Sequence, residues 1–174
     1  MKKLLTFALF AAVVTFSLQA CAQEDKSKRP SPPATASVTT AKGVTINIDY
    51  SQPALKGRTM GKDVEPMAGK VWRTGANEAT VFAIDKDVMV EGKKLPAGKY
   101  GLFTIAGDNQ WTIIFNKTWK QWGAFTYKEA DDALRVTVKP GTSAAFMERF
   151  TITADKSGKI SLLWGNTKVD FTVQ

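Results

Sequence analysis

The sequence predicts an all-β fold, a single antiparallel β-sandwich of about nine short strands over residues 42–174. Three observations predict it. Apolar and polar residues alternate with a period of two along many short segments, the pattern of strands with one buried face. Turn-forming residues separate those segments at short intervals. Sustained helical periodicity is missing, and one turn at Tyr127 to Asp132 is the sole helical expectation.

The 174-residue chain opens with Lys2 and Lys3, an apolar run from Leu4 to about Phe16, and then Leu18-Gln19-Ala20-Cys21. Positive, apolar and small-residue regions in this order mark an export signal, and the apolar run is too short to span a bilayer. Leu at minus three, Ala at minus one and Cys at plus one resemble a bacterial lipobox. That resemblance implies that residues 1–20 are a lipoprotein signal peptide, cut before Cys21, whose sulfur and new amine are acylated. Cys21 is the only cysteine, and acylation removes a thiol that has no partner in an oxidising compartment. The other reading is an ordinary cleaved signal with Cys21 left free. Two or more acyl chains anchor a protein stably where one holds it marginally, so the partner expected first is a membrane. Ala22 stands where Asp retains many such proteins in the inner membrane, which favours the outer membrane; periplasmic and surface faces both stay open.

Residues 21–41 are polar and carry Pro30, Pro32 and Pro33 among Ser, Thr, Ala and Lys. They read as a disordered tether, long enough in extended form to hold a domain about 60 Å from the membrane. The densest basic run, Lys26 to Arg29, falls here and reads as solvated linker or as a contact to anionic headgroups.

From residue 42 onward the strands follow in order. Val44, Ile46, Ile48 and Tyr50 alternate with Thr45, Asn47 and Asp49. Ala79–Asp85, Val88–Val90, Gly101–Ile105 and Trp111–Phe115 are more continuously apolar, as central strands are. Leu134, Val136 and Val138 form another alternating set, as do Phe146, Glu148, Phe150 and Ile152, and then Val169, Phe171 and Val173. Asp85-Lys86-Asp87, Glu91-Gly92, Pro96-Ala97-Gly98, Gly107-Asp108-Asn109 and Asp155 to Gly158 read as separators, and Gly165-Asn166 as a two-residue hairpin turn.

Net charge is +8 at pH 7. Loss of Lys2 and Lys3 with the leader leaves 22 basic residues against 16 acids, or +6. That excess is not gathered into a stripe, and export removes nucleic acid as a natural partner. The chain has no histidine. With the lone cysteine committed to the anchor, zinc, copper and haem ligand sets and His-based nucleophile systems are excluded. Calcium, held by oxygen ligands, stays open, but no loop has EF-hand spacing; no metal, cofactor or catalytic residue is assigned.

Gly69-Lys70-Val71-Trp72-Arg73-Thr74-Gly75-Ala76-Asn77-Glu78-Ala79-Thr80 is the one place where polar and aromatic residues concentrate without a period. Gly75 and Asn77 tolerate positive φ, so Trp72, Arg73, Asn77 and Glu78 can ring a bent loop. An indole, a guanidinium, an amide and a carboxylate suit a small polar or saccharide ligand. Equally, Trp72 can plug the sandwich, Arg73 can pair with Glu78, and Asn77 can cap the turn. A second cluster, Trp119-Lys120-Gln121-Trp122-Gly123-Ala124-Phe125-Thr126-Tyr127, offers Trp122 to stack on a sugar or to anchor an interface, with at least one of Trp119 and Trp122 in the core. The adjacent acids Asp131-Asp132 and the pair Asp85 and Asp87 read as solvated turn residues, not as an opposed catalytic pair.

Tyr50-Ser51-Gln52-Pro53 with Lys56-Gly57-Arg58, the Trp72–Thr80 string, Leu95-Pro96-Ala97-Gly98-Lys99-Tyr100-Gly101-Leu102-Phe103-Thr104 and Gln121-Trp122-Gly123-Ala124 resemble the domain-of-unknown-function family twenty-nine-eleven. The likeness spans about Val44 to Gln174 and implies a β-sandwich of the Gram-negative envelope, with no reaction, ligand or catalytic set attached. Three function classes stand: a non-catalytic binding module on the 72–78 loop, an interaction protein using exposed aromatics on another envelope protein, and an envelope hydrolase without His or metal. The expectation is that the protein is not an enzyme.

Overall fold

The computed structural model describes residues 25–174. The expected signal peptide and the expected lipidation site, Cys21, lie outside the described residues. Eleven strands follow in chain order: β1 (Pro33–Thr39), β2 (Thr45–Ser51), β3 (Val71–Trp72), β4 (Thr80–Ile84), β5 (Val88–Val90), β6 (Lys93–Leu95), β7 (Gly98–Ile105), β8 (Trp111–Asn116), β9 (Asp132–Val138), β10 (Pro140–Ala154) and β11 (Lys159–Thr172). Two 3-10 turns, Lys26–Lys28 and Glu129–Asp131, are the only helical pieces among the described residues.

One layer is a seven-stranded antiparallel sheet in the order β1-β2-β4-β7-β8-β9, with β3 paired to the end of β7 that β4 leaves free. The other layer is the β10–β11 ribbon, and β5–β6 forms a separate hairpin. Inward residues of the sheet (Ile46, Ile48, Phe82, Leu102, Ile113, Phe115) meet Phe150, Ile152, Leu162, Trp164 and Phe171 of the ribbon in one buried core. Aromatic rings carry the contact between layers. Trp72 stacks on Trp164 at 5.8 Å and meets Phe150 edge-on at 5.0 Å, while Phe171 packs against Phe82 and Phe115. Such pairs add about 0.5–1.5 kcal/mol each beyond area burial.

β7 and β8 are apolar on both faces because each face is covered. Outside the main core, Phe103 and Ile114 form a second cluster with Ala79, capped by Val71, Ala124 and Tyr127. Ala124 and Tyr127 of this cap belong to the 117–131 loop. Its end is fixed by Asn116, whose Nδ2 donates to Lys128 O and Asp132 Oδ1, and by the Tyr127–Asp132–Arg135 network.

Three expectations are corrected. Residues 33–39 are not tether but strand β1, in full register with β2 from Pro33↔Ser51 to Thr39↔Thr45. Ala34, Ala36 and Val38 turn inward while Thr35 and Ser37 bond Asp49 and Asn47 across the ladder. The side chains are small, so the pattern is faint, but backbone pairing on the sheet edge needs none larger, and a proline is tolerated at a strand's first residue. Gly165-Asn166 is not a turn: β11 runs through it, and Gly165, at φ 56°, forms a bulge opposite Met147. That shift turns Phe146 outward although Phe150 and Ile152 stay buried. The true β10–β11 turn lies at 155–158, where Asp155 Oδ1 accepts from the amides of Ser157 and Lys159. Finally, β1, β3 and β6 raise the strand count above that expected.

Candidate functional site

The 72–80 segment is a locked corner. Thr74 (φ 52°), Gly75 (φ 157°) and Asn77 (φ 60°) bend it. Trp72 Nε1 donates to Gly75 O at 3.0 Å, and Thr80 Oγ1 donates to Thr74 O at 2.7 Å. A Cβ at Gly75 would stand 3.0 Å from both Ser51 O and Thr80 Oγ1, so the backbone passes too close for a larger residue.

The five expected ligand residues part company here. Trp72 is 2% exposed and belongs to the core, because its indole finds Trp164, Phe150 and a backbone acceptor. It presents no face to a ligand. Asn77 is a corner residue whose Nδ2 donates to Ser31 O and Ser51 Oγ, stitching the N-terminal segment to the sheet. Arg73 does not pair with Glu78. It lies outside the groove described below, and its buried Nε has no partner among the described residues. Burial lowers its pKa from the ordinary arginine value, opposed by the nearby Glu65 carboxylate.

Glu78 and Trp122 do come together, through an antiparallel backbone bridge. Ala79 N donates to Gln121 O and Gly123 N to Asn77 O on either side of it. The two residues face a groove of about 520 Å³ between the 25–33 segment and the 119–122 loop, floored by Tyr50, Ser51, Ala79 and Val81. Trp122 is 55% exposed, and the Arg29 guanidinium lies 5.7 Å from its ring centroid. Lys26 Nζ and Arg29 Nη1 bond the two Glu78 oxygens at 2.8 and 2.9 Å. Burial alone would raise the Glu78 pKa, but these two cations outweigh it and hold the carboxyl below its ordinary value. Glu78 is thus a fixed anion.

Sequence reasoning missed Lys26 and Arg29 as groove residues, along with Asp49, Trp119, Lys120 and Gln121. Trp119 and Lys120 stood in the second aromatic cluster, and that density was the available signal. Lys26 and Arg29 stood in the densest basic run, read as solvated linker or headgroup contact, and instead meet Glu78 across 52 and 49 residues. Lys99 lies 5.4 Å over the Trp119 ring. Among the described residues no group of three or more Cys, Asp or Glu is placed to hold a metal, and no helix is long and apolar enough to cross a membrane.

The groove offers an exposed indole, a half-buried indole, two cations beside a carboxylate, and Lys120, Gln121 and Asp49 for hydrogen bonding. Two carboxylates line the groove, Glu78 held by its two cations and Asp49 accepting from Thr35 Oγ1. No curated protein and no solved structure matches the chain. The family model described as "Protein of unknown function (DUF2911)" matches residues 31–173. Its span starts ahead of β1, inside the stretch read as tether, and takes in the 72–80 corner and the 119–122 loop but not Lys26 or Arg29. The chain belongs to the DUF2911 family.

Proposed function

We infer that the protein is an outer-membrane-anchored lipoprotein, held through acylated Cys21, whose β-sandwich is a non-catalytic binding module for a small polar or saccharide ligand. The observation that carries the reading is the groove itself, where Trp122 is exposed beside Glu78, Lys120 and Gln121. An indole face suits the C–H face of a sugar ring, and the charged and amide groups around it suit hydroxyls. Glu78, held ionised by Lys26 and Arg29, supports the reading as a fixed hydrogen-bond acceptor at the groove.

The test is a thermal-shift screen of glycans and peptidoglycan fragments on the mature chain. A chain cut at residue 42 is unsuitable, because it loses β1 and the groove wall. A ligand at a hundred times its Kd adds about 2.7 kcal/mol to stability. The expected result is a shift that Trp122→Ala abolishes. Shifts unaffected by Trp122→Ala, or none across the screen, sink the groove as a ligand site. Mass spectrometry of the mature N-terminus tests the anchor, and an unmodified Cys21 refutes it.

A further inference from the structure

We propose that the face carrying the groove is a bilayer-docking surface, with Trp122 and Phe125 seated in the headgroup boundary and Lys120 over anionic headgroups. This rests on the Cys21 anchor of the proposed function, and on three features of the fold.

The first is reach. Residue 25 adjoins Lys26, and Lys26 is pinned to Glu78 in the groove. Asn77 holds Ser31, and Gln52 N donates to Pro32 O. Only residues 21–24 therefore separate the acyl chains from the docked segment, and covalent geometry limits that stretch to about 14 Å. A tether free from 21 to 41 would have allowed several times that distance. The domain is held against the membrane, and the side on which the anchor emerges is the groove side.

The second is apolar surface. Trp122 is 55% and Phe125 84% exposed. They are two of the four large exposed hydrophobics among the described residues, and they share one loop. The Phe125 ring lies close against Gly123, the residue after Trp122, where an added Cβ would be 2.9 Å from it. Tryptophan and its aromatic neighbours partition to the headgroup layer, where an amphipathic ring meets both water and acyl chain.

The third is charge. Lys26 and Lys120 line the groove, Lys120 is exposed, and Lys28 of the adjoining 3-10 turn pairs with Asp25 at 3.5 Å. Glu78 engages Lys26 and Arg29 and Asp25 engages Lys28, which leaves Lys120 as the outward cation of the groove lining. Juxtamembrane basic residues favour anionic leaflets, each by roughly fivefold in partition. A ligand entering the groove would then do so at the membrane surface.

Flotation of the mature chain carrying Cys21→Ser tests this without the anchor, using phosphatidylcholine vesicles with and without half phosphatidylglycerol. The expected result is binding to the anionic vesicles only, with tryptophan fluorescence quenched by acyl-brominated lipid. Trp122→Ser with Phe125→Ser should lower partition by roughly tenfold, and Lys120→Gln by roughly fivefold, with circular dichroism unchanged. A variant that loses its β spectrum is replaced by Phe125→Ser alone, at the more exposed position. No flotation, equal binding of the aromatic variants, equal binding to neutral vesicles, or binding only to vesicles that carry envelope protein each overturn the proposal. Acylated Cys21 with no flotation sinks the docking face alone, whereas an unmodified Cys21 sinks the anchor on which it rests.

Discussion

Replacing Glu78 by Gln should release the 26–29 segment from the groove without unfolding the sandwich. The magnitude follows from the geometry. The Lys26–Glu78 pair is largely solvated, its side chains 52% and 40% exposed, so it contributes about 0.3 kcal/mol. Arg29 is only 13% exposed, and its charge-assisted bond to Glu78 is worth about 1 kcal/mol after discount for the exposed carboxylate. Together these give about 1.3 kcal/mol, close to tenfold in the opening equilibrium of the segment. Trypsin reads that equilibrium, because it cuts after Lys26 and Lys28 only in the open form and cleavage tracks the open population when closing is fast. Cleavage there should be about tenfold faster in Glu78→Gln, and in the wild type it should quicken at high salt as the pairs are screened. The pH arm has a definite sign. The folded pKa of Glu78 lies below its ordinary value, so the latch is fully present above about pH 4.5 and is lost as pH falls through the folded pKa. Hydrogen exchange of the 25–32 peptide should show that loss in the wild type and not in the variant. Equal trypsin rates in the two proteins would refute the latch.

Asn77→Ala should cost about 2 kcal/mol in chemical denaturation, because alanine resists φ 60° and leaves Ser31 O without its donor; Asn77→Gly, which keeps the backbone relaxed, should cost measurably less. Arg73→Lys should change stability by under about 1 kcal/mol, since the Nε it removes makes no hydrogen bond among the described residues, and a larger loss would show a structural role for the guanidinium. The Tyr127 phenol is pushed up to about 12, by burial first and then by its bond to Asp132. Its contribution is therefore intact below about pH 10 and lost as pH rises through 12. Tyr127→Phe should flatten the alkaline fall in stability measured by denaturation between those values, and an unchanged profile would count against the network.

The all-β class and the places of β2, β4, β5, β8 and β9 were legible in the chain, because a strand with a buried face must alternate and a strand buried on both faces must run apolar. Ile46, Ile48 and Phe82 could hardly be read otherwise. The same rule hid β1, whose inward residues Ala34, Ala36 and Val38 are small and follow three prolines; edge pairing depends on backbone groups that every residue carries. It also misread β10 and β11, since a bulge inverts the faces without leaving a mark beyond Gly165.

In the site, composition alone pointed to the Trp72–Thr80 string and to Trp122. It did not tell which of those residues are structural. Trp72 went inward because two aromatic partners from the ribbon wait there, and Asn77 was spent on the corner. Local sequence determines which residues bend, alternate or break. Which groups meet Glu78 depends on chain closure over some fifty residues, a long-range term that only the tertiary structure decides, and it decided for Lys26 and Arg29 over the neighbouring Arg73.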